Sequence, residues 1–324
     1  MRGIKVDRFG GPEVLVPAEL PEPVPGPGQV LVEVSAAGVN YADTHRTDGT
    51  YRDAPLLPFV PGTEVVGRTP DGRRVLALCF EGGGYAERAV VDEANVVEVP
   101  DEVDDATALA LLVQGLTAWH VLRSGARLRP GETVLIGAAS GGVGSIAVQL
   151  AHHFGADLII AGASTPEKRR HALDLGAHVA VANDPIGYAD RVRSAIRAHG
   201  PAGGEPLGAD VILESTGGAA LTASIEALAP FGRLVTYGNA SREGRPPIDA
   251  GVLSARNLAV AGFWLRPALD LPGHFREPLT EMFSLVASGA LTLPSGSAHP
   301  LADARRAHED LLARRTVGKT VLVV

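Results

Sequence analysis

The sequence of 324 residues predicts an α/β protein with a β-rich front and a doubly wound parallel sheet, on three observations. Strand-like and helix-like segments alternate from residue 133 to residue 262. A glycine-rich turn, Ala139-Ser140-Gly141-Gly142-Val143-Gly144, lies between the first of those strands and the first of those helices. Before residue 100, short β-branched runs are instead broken by Gly and Pro. Alternation of strand and helix implies parallel β-α-β units with helices on both sheet faces. Short runs at close spacing suit antiparallel pairing.

In the front, Val30-Leu31-Val32-Glu33-Val34 is bounded by Pro25-Gly26-Pro27-Gly28 and by Gly38, so it reads as a strand. Further strands are expected at residues 65–66, 74–78, 86–91 and 96–99. Near residue 101 the character changes. Asp104-Asp105-Ala106-Thr107 introduces apolar segments at 108–113 and 115–122, which read as two helices. Pro130-Gly131-Glu132 then opens the repeating part: strand 133–137, helix 143–154, strand 157–161, helix 166–175, strand 178–182 and helix 188–199. Strands at 210–214, 233–237 and 258–262 continue it, and a helix at 303–313 precedes a last strand at 320–324. Nothing repeats at solenoid periods.

Composition narrows the function classes. A hydrophobic fraction of 45% with 20% charged residues supports a large core and argues against disorder. The 39 Gly and 24 Pro, with only 5% aromatics, suit tight backbone turns better than a stacking platform for nucleic acid. A net charge of −8 without a basic block argues against nucleic-acid or acidic-membrane partners. The single cysteine, Cys79, excludes an intrachain disulfide and a cysteine-cluster zinc site. Residues 1–9 carry no signal-peptide core, and no run approaches the roughly 20 apolar residues of a membrane span. A cytoplasmic protein is expected.

The glycine turn carries the sharpest signal. Placed after a strand and before a helix, it has the context in which glycines let the backbone approach a pyrophosphate at a helix N-terminus. Ala139 stands where the first glycine of the pattern would be; alone, the motif also fits a plain strand-helix turn. The end of the second strand speaks to which dinucleotide. It reads Gly162-Ala163-Ser164-Thr165 without an acid, and Lys168, Arg169 and Arg170 follow within a helical turn. An NAD ribose usually meets an acidic residue there, whereas a 2′-phosphate needs hydroxyls and cations. NADP(H) is therefore the expected cofactor. Against this, the cations also suit a solvated helix face, and Glu167 is a counter-signal unless it serves the helix N-terminus.

A resemblance then spans nearly the whole chain. Gly38-Val39-Asn40-Tyr41-Ala42-Asp43, Gly49-Thr50-Tyr51, Pro58-Phe59-Val60-Pro61-Gly62-Thr63-Glu64 and Gly83-Gly84-Tyr85-Ala86-Glu87 occur in order. Gln114-Gly115-Leu116-Thr117-Ala118, the glycine turn and Thr316-Val317-Gly318-Lys319 complete the set. The ordered combination resembles the zinc-independent quinone oxidoreductases (zeta-crystallin-like) of the medium-chain dehydrogenase/reductase superfamily. The resemblance implies a GroES-like catalytic domain from both chain ends, residues 1–121 and 264–324, with a Rossmann domain at 122–263 inserted between them. It further implies an NADPH-dependent reductase, and a homodimer joined through an edge strand at 258–262. Two departures stand out: the connection between Val66 and Leu76 is short, and the loop Pro201-Ala202-Gly203-Gly204-Glu205-Pro206 is extended.

The resemblance also distributes site residues. Asn40 and Thr117 match positions near the nicotinamide and ribose, and Tyr51 matches a position lining the substrate cleft. Tyr51 is open to two roles, as hydrogen-bond donor to a carbonyl oxygen or as an amphipathic lid residue. Tyr41 reads more simply as core, and Asp43 as a brace of its loop. The cofactor is expected on Ser140, Gly141, Gly142, Val143 and Gly144, with Ser164 and Lys168 at the 2′-phosphate and Tyr188 by the adenosine phosphate. Gly238 and Asn239 would pass the nicotinamide-ribose side, and Phe263-Trp264-Leu265 would border the carboxamide. Arg314 and Lys319 are open either to reaching the cofactor or to serving as a helix-end charge and a solvated lysine.

Where zinc-dependent relatives bind the metal, this sequence has Asn40 and Thr63-Glu64, and the structural cysteine lobe is missing; the histidines lack ligand spacing. Zinc-free chemistry is therefore expected, with an acceptor that is electrophilic already. Quinones lead. Activated C=C bonds in enals, enones or enoyl thioesters are the alternative, and a non-catalytic NADPH-binding or RNA-binding protein is a distant third.

Overall fold

The computed structural model describes residues 1–200, 208–294 and 296–324. The chain opens with β1 (Arg2–Lys5), β2 (Val16–Glu19), β3 (Gln29–Val39), α1 (Tyr41–Asp48), β4 (Glu64–Arg68), β5 (Arg74–Leu78), β6 (Arg88–Asp92) and β7 (Val96–Glu98). A helical run follows, in which α2 (Asp105–Leu109) and α3 (Leu116–His120) alternate with π-helical turns at Ala110–Gly115 and Val121–Gly125. Next come β8 (Thr133–Ile136), α4 (Gly142–His153), β9 (Leu158–Ala163), α5 (Pro166–Asp174), β10 (Val179–Ala182), α6 (Tyr188–His199), β11 (Ala209–Glu214) and α7 (Gly218–Glu226). The chain continues with β12 (Leu228–Thr236), α8 (Ala250–Arg256), β13 (Ala259–Gly262), α9 (Leu265–Leu269) and α10 (Arg276–Ala287). It ends in β14 (Ala298–Pro300), α11 (Ala304–Leu312) and β15 (Thr320–Val323).

These elements form two compact units. The first comprises Met1–Val113, Leu279–Gly289 and Leu293–Val324; the second comprises Gln114–Pro278 and Ala290–Thr292. The sequence reading drew its boundaries at 121/122 and 263/264. The helix α3 falls in the second unit because it packs on α4 and α9 there.

In the first unit, the main sheet runs β14-β15-β3-β4-β5-β7, with β6 also pairing β3. The last strand pairs antiparallel with the front strand, Thr320 opposite Val39, so the two chain ends share one sheet as the resemblance implied. β3 is longer than its β-branched run predicts. Ala36, Ala37 and Gly38 have little strand preference of their own, but β15 and β4 flank them on either side. Val32, Val39, Val65, Val75, Tyr85 and Leu322 lie in the apolar core beneath. The short connection between Val66 and Leu76 is a tight hairpin, closed by Thr69 N–H to the Arg73 carbonyl at 3.0 Å.

The second unit holds a sheet in the order β10-β9-β8-β11-β12-β13, with every pairing parallel. This is the doubly wound order whose reversal point lies beside β8, the strand that leads into the glycine turn. Leu135, Ile160, Val192, Ile212 and Leu234 fill part of its core.

One expectation changes. The apolar segments at 108–113 and 115–122 are not separate helices: Gly115 sits inside the π turn with helical backbone, so the helical run continues from Asp105 to Gly125. That run is long and apolar enough to cross a membrane by length and composition alone, but most of it is buried inside the protein. The extended loop at Pro201-Ala202-Gly203-Gly204-Glu205-Pro206 lies outside the described residues.

Candidate active site

The second unit supplies a site built mainly from backbone. Gly141 caps α4 with extended backbone and no side-chain hydrogen bond, and the first turn carries no acidic residue. The leading N–H groups of a helix have no partner within it and carry the positive end of its dipole, so this end favours an anion. Gly144 is required by close packing: a Cβ there would overlap the Ala138 carbonyl and come within 2.7 Å of the Ala139 Cα. Ser140 is buried beside this turn, and Val143 occupies the first turn of α4 between the glycines.

At the end of β9, Thr165 caps α5 by accepting the Lys168 N–H at 3.3 Å. Ser164 is exposed and Lys168 is half-buried on that first turn. Arg169 has a different task. Its guanidinium donates to the carbonyls of Ala163 and Ser164 at 3.1 and 3.3 Å, bracing the strand end. The Glu167 carboxyl is held below its usual range by the α5 backbone and Thr165, so it serves the helix N-terminus. Tyr188 is buried in the core, its hydroxyl against Gly162 and its ring 5.8 Å from the Arg191 guanidinium.

The other strand ends place the remaining predicted residues of this unit. Gly238 follows β12 in close packing with Ser215, and the buried Asn239 Oδ1 has no partner among the described residues. Gln114 Oε1, another buried oxygen without a partner among the described residues, borders Gly142. Thr117 lies buried on α3. Phe263 extends the β13 pairing through its N–H to Thr236 O at 2.9 Å, Trp264 caps α9, and Leu265 is buried in α9. These features fit a dinucleotide: an uncapped glycine helix start, closely packed strand ends and buried oxygens able to accept hydrogen bonds from a ligand.

The first unit holds a site of another kind, built from buried polar side chains. Asn40 follows β3 at the N-cap of α1, and its N–H donates to Asp43 Oδ2 at 2.8 Å, which gives Asp43 the bracing role expected of it. The Asn40 amide donates from Nδ2 to Glu64 Oε1 at 2.7 Å, and its Oδ1 accepts from Lys319 Nζ at 2.8 Å. Lys319 also pairs directly with Glu64, and Glu64 Oε2 accepts the Val113 N–H at 2.9 Å. Lys319 is thus buried rather than solvated. A glycine within β3 leaves room for this: a Cβ on Gly38 would overlap the Glu64 carboxylate.

Behind Asp43, the Tyr85 hydroxyl reaches Asp43 Oδ2 at 3.4 Å and His308 Nε2 at 3.1 Å. Burial pushes the Asp43 carboxyl up to about 6, and pushes the His308 imidazole down to about 4. Burial likewise raises the Cys79 thiol to about 12, so it is no nucleophile. Tyr51 follows α1 with its N–H on the His45 carbonyl at 3.0 Å and its ring 5.9 Å from the Arg46 guanidinium. Arg314 is exposed after α11, with positive φ. Among the described residues, no three His, Cys, Asp or Glu side chains gather as a metal site.

Comparison with known proteins gives these features a common setting. Residues 26–101 match the family model described as alcohol dehydrogenase GroES-like domain, and residues 142–284 match that of zinc-binding dehydrogenase. The quinone oxidoreductase of Pseudomonas aeruginosa is 35% identical, across 99% of this chain and 98% of that protein. The chain belongs to the quinone oxidoreductase family of the medium-chain dehydrogenases/reductases. Human quinone oxidoreductase is 30% identical across 100% of this chain and 98% of its own. Among solved quinone oxidoreductases, that of Escherichia coli in complex with NADPH superposes with a TM-score of 0.91 at 29% identity, covering both chains fully. That of Thermus thermophilus, solved also in complex with NADPH, gives 0.87 at 37% identity, again with full coverage of both.

Sequence reasoning missed the second layer of this quinone oxidoreductase fold. Glu64 entered it as part of a family motif and as a departure from a metal-binding pair, and His308 did not enter at all. His120, also missed, stacks on Phe263 with ring centroids 6.1 Å apart and bonds the His274 carbonyl through Nε2 at 2.8 Å. The one available signal was Lys319, a lysine in an otherwise apolar final strand region.

Proposed function

We propose that the protein is a cytoplasmic, homodimeric NADPH-dependent quinone reductase that works without zinc. The observation that carries this reading is the uncapped glycine start of α4, directly after the central strand β8, in a family with members solved in complex with NADPH. NADPH supplies a hydride when bound.

The chain's residues divide the remaining work. The N–H groups of Gly142, Val143 and Gly144 hold the pyrophosphate, with Ser140 and Gly141 shaping the turn. Ser164 and Lys168 take the 2′-phosphate, and the lack of an acid at the end of β9 favours NADPH over NADH. Tyr188 supports Gly162 beneath that phosphate. Gly238, Asn239, Phe263, Trp264 and Leu265 border the nicotinamide end, and Arg314 assists from the C-terminal region. Asn40 and Thr117 orient the reacting ring, while Tyr51 donates to the quinone oxygen as it gains charge.

The zinc-free assignment is supported by Lys319. An ammonium paired with Glu64 and bonded to Asn40 already occupies the acceptor oxygens that this donor set could offer a metal cation. Dimerisation is assigned to β13, which pairs β12 on one side only among the described strands and exposes Ala259 and Gly262.

The test is NADPH oxidation against quinones, 2-alkenals and crotonyl thioesters, with zinc analysis of the purified enzyme. Turnover of quinones without bound zinc is expected. Turnover confined to thioesters, or none at all, overturns the quinone reading; stoichiometric zinc with chelator-sensitive activity overturns the zinc-free one.

A further inference from the structure

We propose that the buried Glu64–Lys319 ion pair is a positioning device that fixes the orientation of the Asn40 amide. The proposal rests on the reading of Asn40 as a site residue and goes beyond it, by assigning two residues that act through Asn40.

A side-chain amide has two ends of nearly equal size, so shape alone does not choose which faces where. Charge does. The Glu64 carboxylate only accepts hydrogen bonds and takes Nδ2 at 2.7 Å. The Lys319 ammonium only donates, and holds Oδ1 at 2.8 Å. Reversing the amide would set Oδ1 against a carboxylate and the NH₂ against an ammonium, both repulsive. Asn40 and Lys319 are 4% and 3% exposed and Glu64 is wholly buried, so water does not screen the choice.

The clamp is itself anchored on elements distant in sequence. Glu64 opens β4 and takes the Val113 N–H, while Lys319 precedes β15 and reaches the Val39 carbonyl at 3.4 Å. With its amide held at both ends and its N–H on Asp43, Asn40 retains one slack bond. Its second Nδ2 proton lies toward Thr63, with Nδ2 3.4 Å from Thr63 Oγ1. That weakly held proton is the donor a ligand would draw away from Thr63, and the ammonium on Oδ1 strengthens it by drawing electron density through the amide.

The test compares wild type, Asn40→Ala, the neutral pair Glu64→Gln with Lys319→Met, and the triple variant. The neutral pair removes both charges together, so neither Glu64 nor Lys319 is left as a buried charge without its partner. Its predicted signature is an intact thermal transition with kcat/KM lowered about tenfold or more, up to the roughly 100-fold cost of a misplaced site group. In the Asn40→Ala background the neutral pair should add nothing, because its effect runs through the amide. A general structural role would instead lower activity by the same factor in both backgrounds, and that outcome overturns the proposal. Wild-type kinetics in a folded neutral pair overturn it as well. If Asn40→Ala alone leaves NADPH binding and turnover unchanged, the site reading fails first and the proposal with it.

Discussion

The glycine turn of α4 and the Asn40 cluster make opposite use of the chain. The turn gathers consecutive residues, 140–144, and offers backbone N–H groups at a helix start. The cluster gathers Asn40, Asp43, Glu64, Tyr85, His308 and Lys319, which span most of the sequence, and offers buried side chains held by one another. A backbone site needs little desolvation, because its donors are already aligned by the helix. A buried side-chain site is stable only when every charge has a partner. The two regions should therefore fail differently when disturbed.

The largest effect is expected from breaking the cluster on one side. Lys319→Met leaves the Glu64 carboxylate buried and unpaired, which costs about 3–5 kcal/mol. A urea titration would register this as a midpoint shift, and an unchanged midpoint would show that the carboxylate finds another partner. The neutral Glu64→Gln with Lys319→Met pair should recover most of the loss.

The turn should fail through crowding. Gly144→Val forces a side chain onto the Ala138 carbonyl and the Ala139 backbone, and overpacking of this kind costs about 1–3 kcal/mol. NADPH affinity, measured by fluorescence titration, should fall with it, while the buried cluster of the first unit keeps its pH response.

That pH response distinguishes the cluster further. His308 titrates near 4 in the folded protein against an ordinary 6.5, so its contribution is full above 6.5 and lost as pH falls toward 4. Asp43 titrates near 6 against an ordinary 3.8, so its contribution is full below 3.8 and lost as pH rises toward 6. Between about pH 4 and 6 the two slopes oppose, each up to about 1.4 kcal/mol per pH unit. His308→Gln should then unmask a stability that declines as pH rises through this window, and Asp43→Asn one that declines as pH falls. Identical urea midpoints for both variants across the window would contradict the assignment.

The smallest effect belongs to specificity. Lys168→Ala should raise KM for NADPH by about tenfold, roughly 1.4 kcal/mol, and leave KM for NADH nearly unchanged. Equal changes for both cofactors would remove Lys168 from the 2′-phosphate.

Legibility followed the same division. The strand-turn-helix at residues 133–154 was readable because its apolar periods and its glycines are contiguous. The helical run at Asp105–Gly125 was misread as two pieces, since Gly115 is a breaker by propensity but is held helical by its surroundings. Lys319 was ambiguous for a physical reason: a lysine near a chain end is usually solvated, and only a carboxylate 255 positions away makes it a buried partner.

By itself, the sequence determined the alternating α/β middle, the glycine turn and the acid-free end of the second strand, because each depends on neighbours a few residues apart. Tertiary structure decided that β15 completes the front sheet and that Asn40, Glu64 and Lys319 share hydrogen bonds. It also decided that Asp43, Tyr85 and His308 form a buried polar chain. Those depend on burial and on partners far apart in sequence, where desolvation sets which pairings survive.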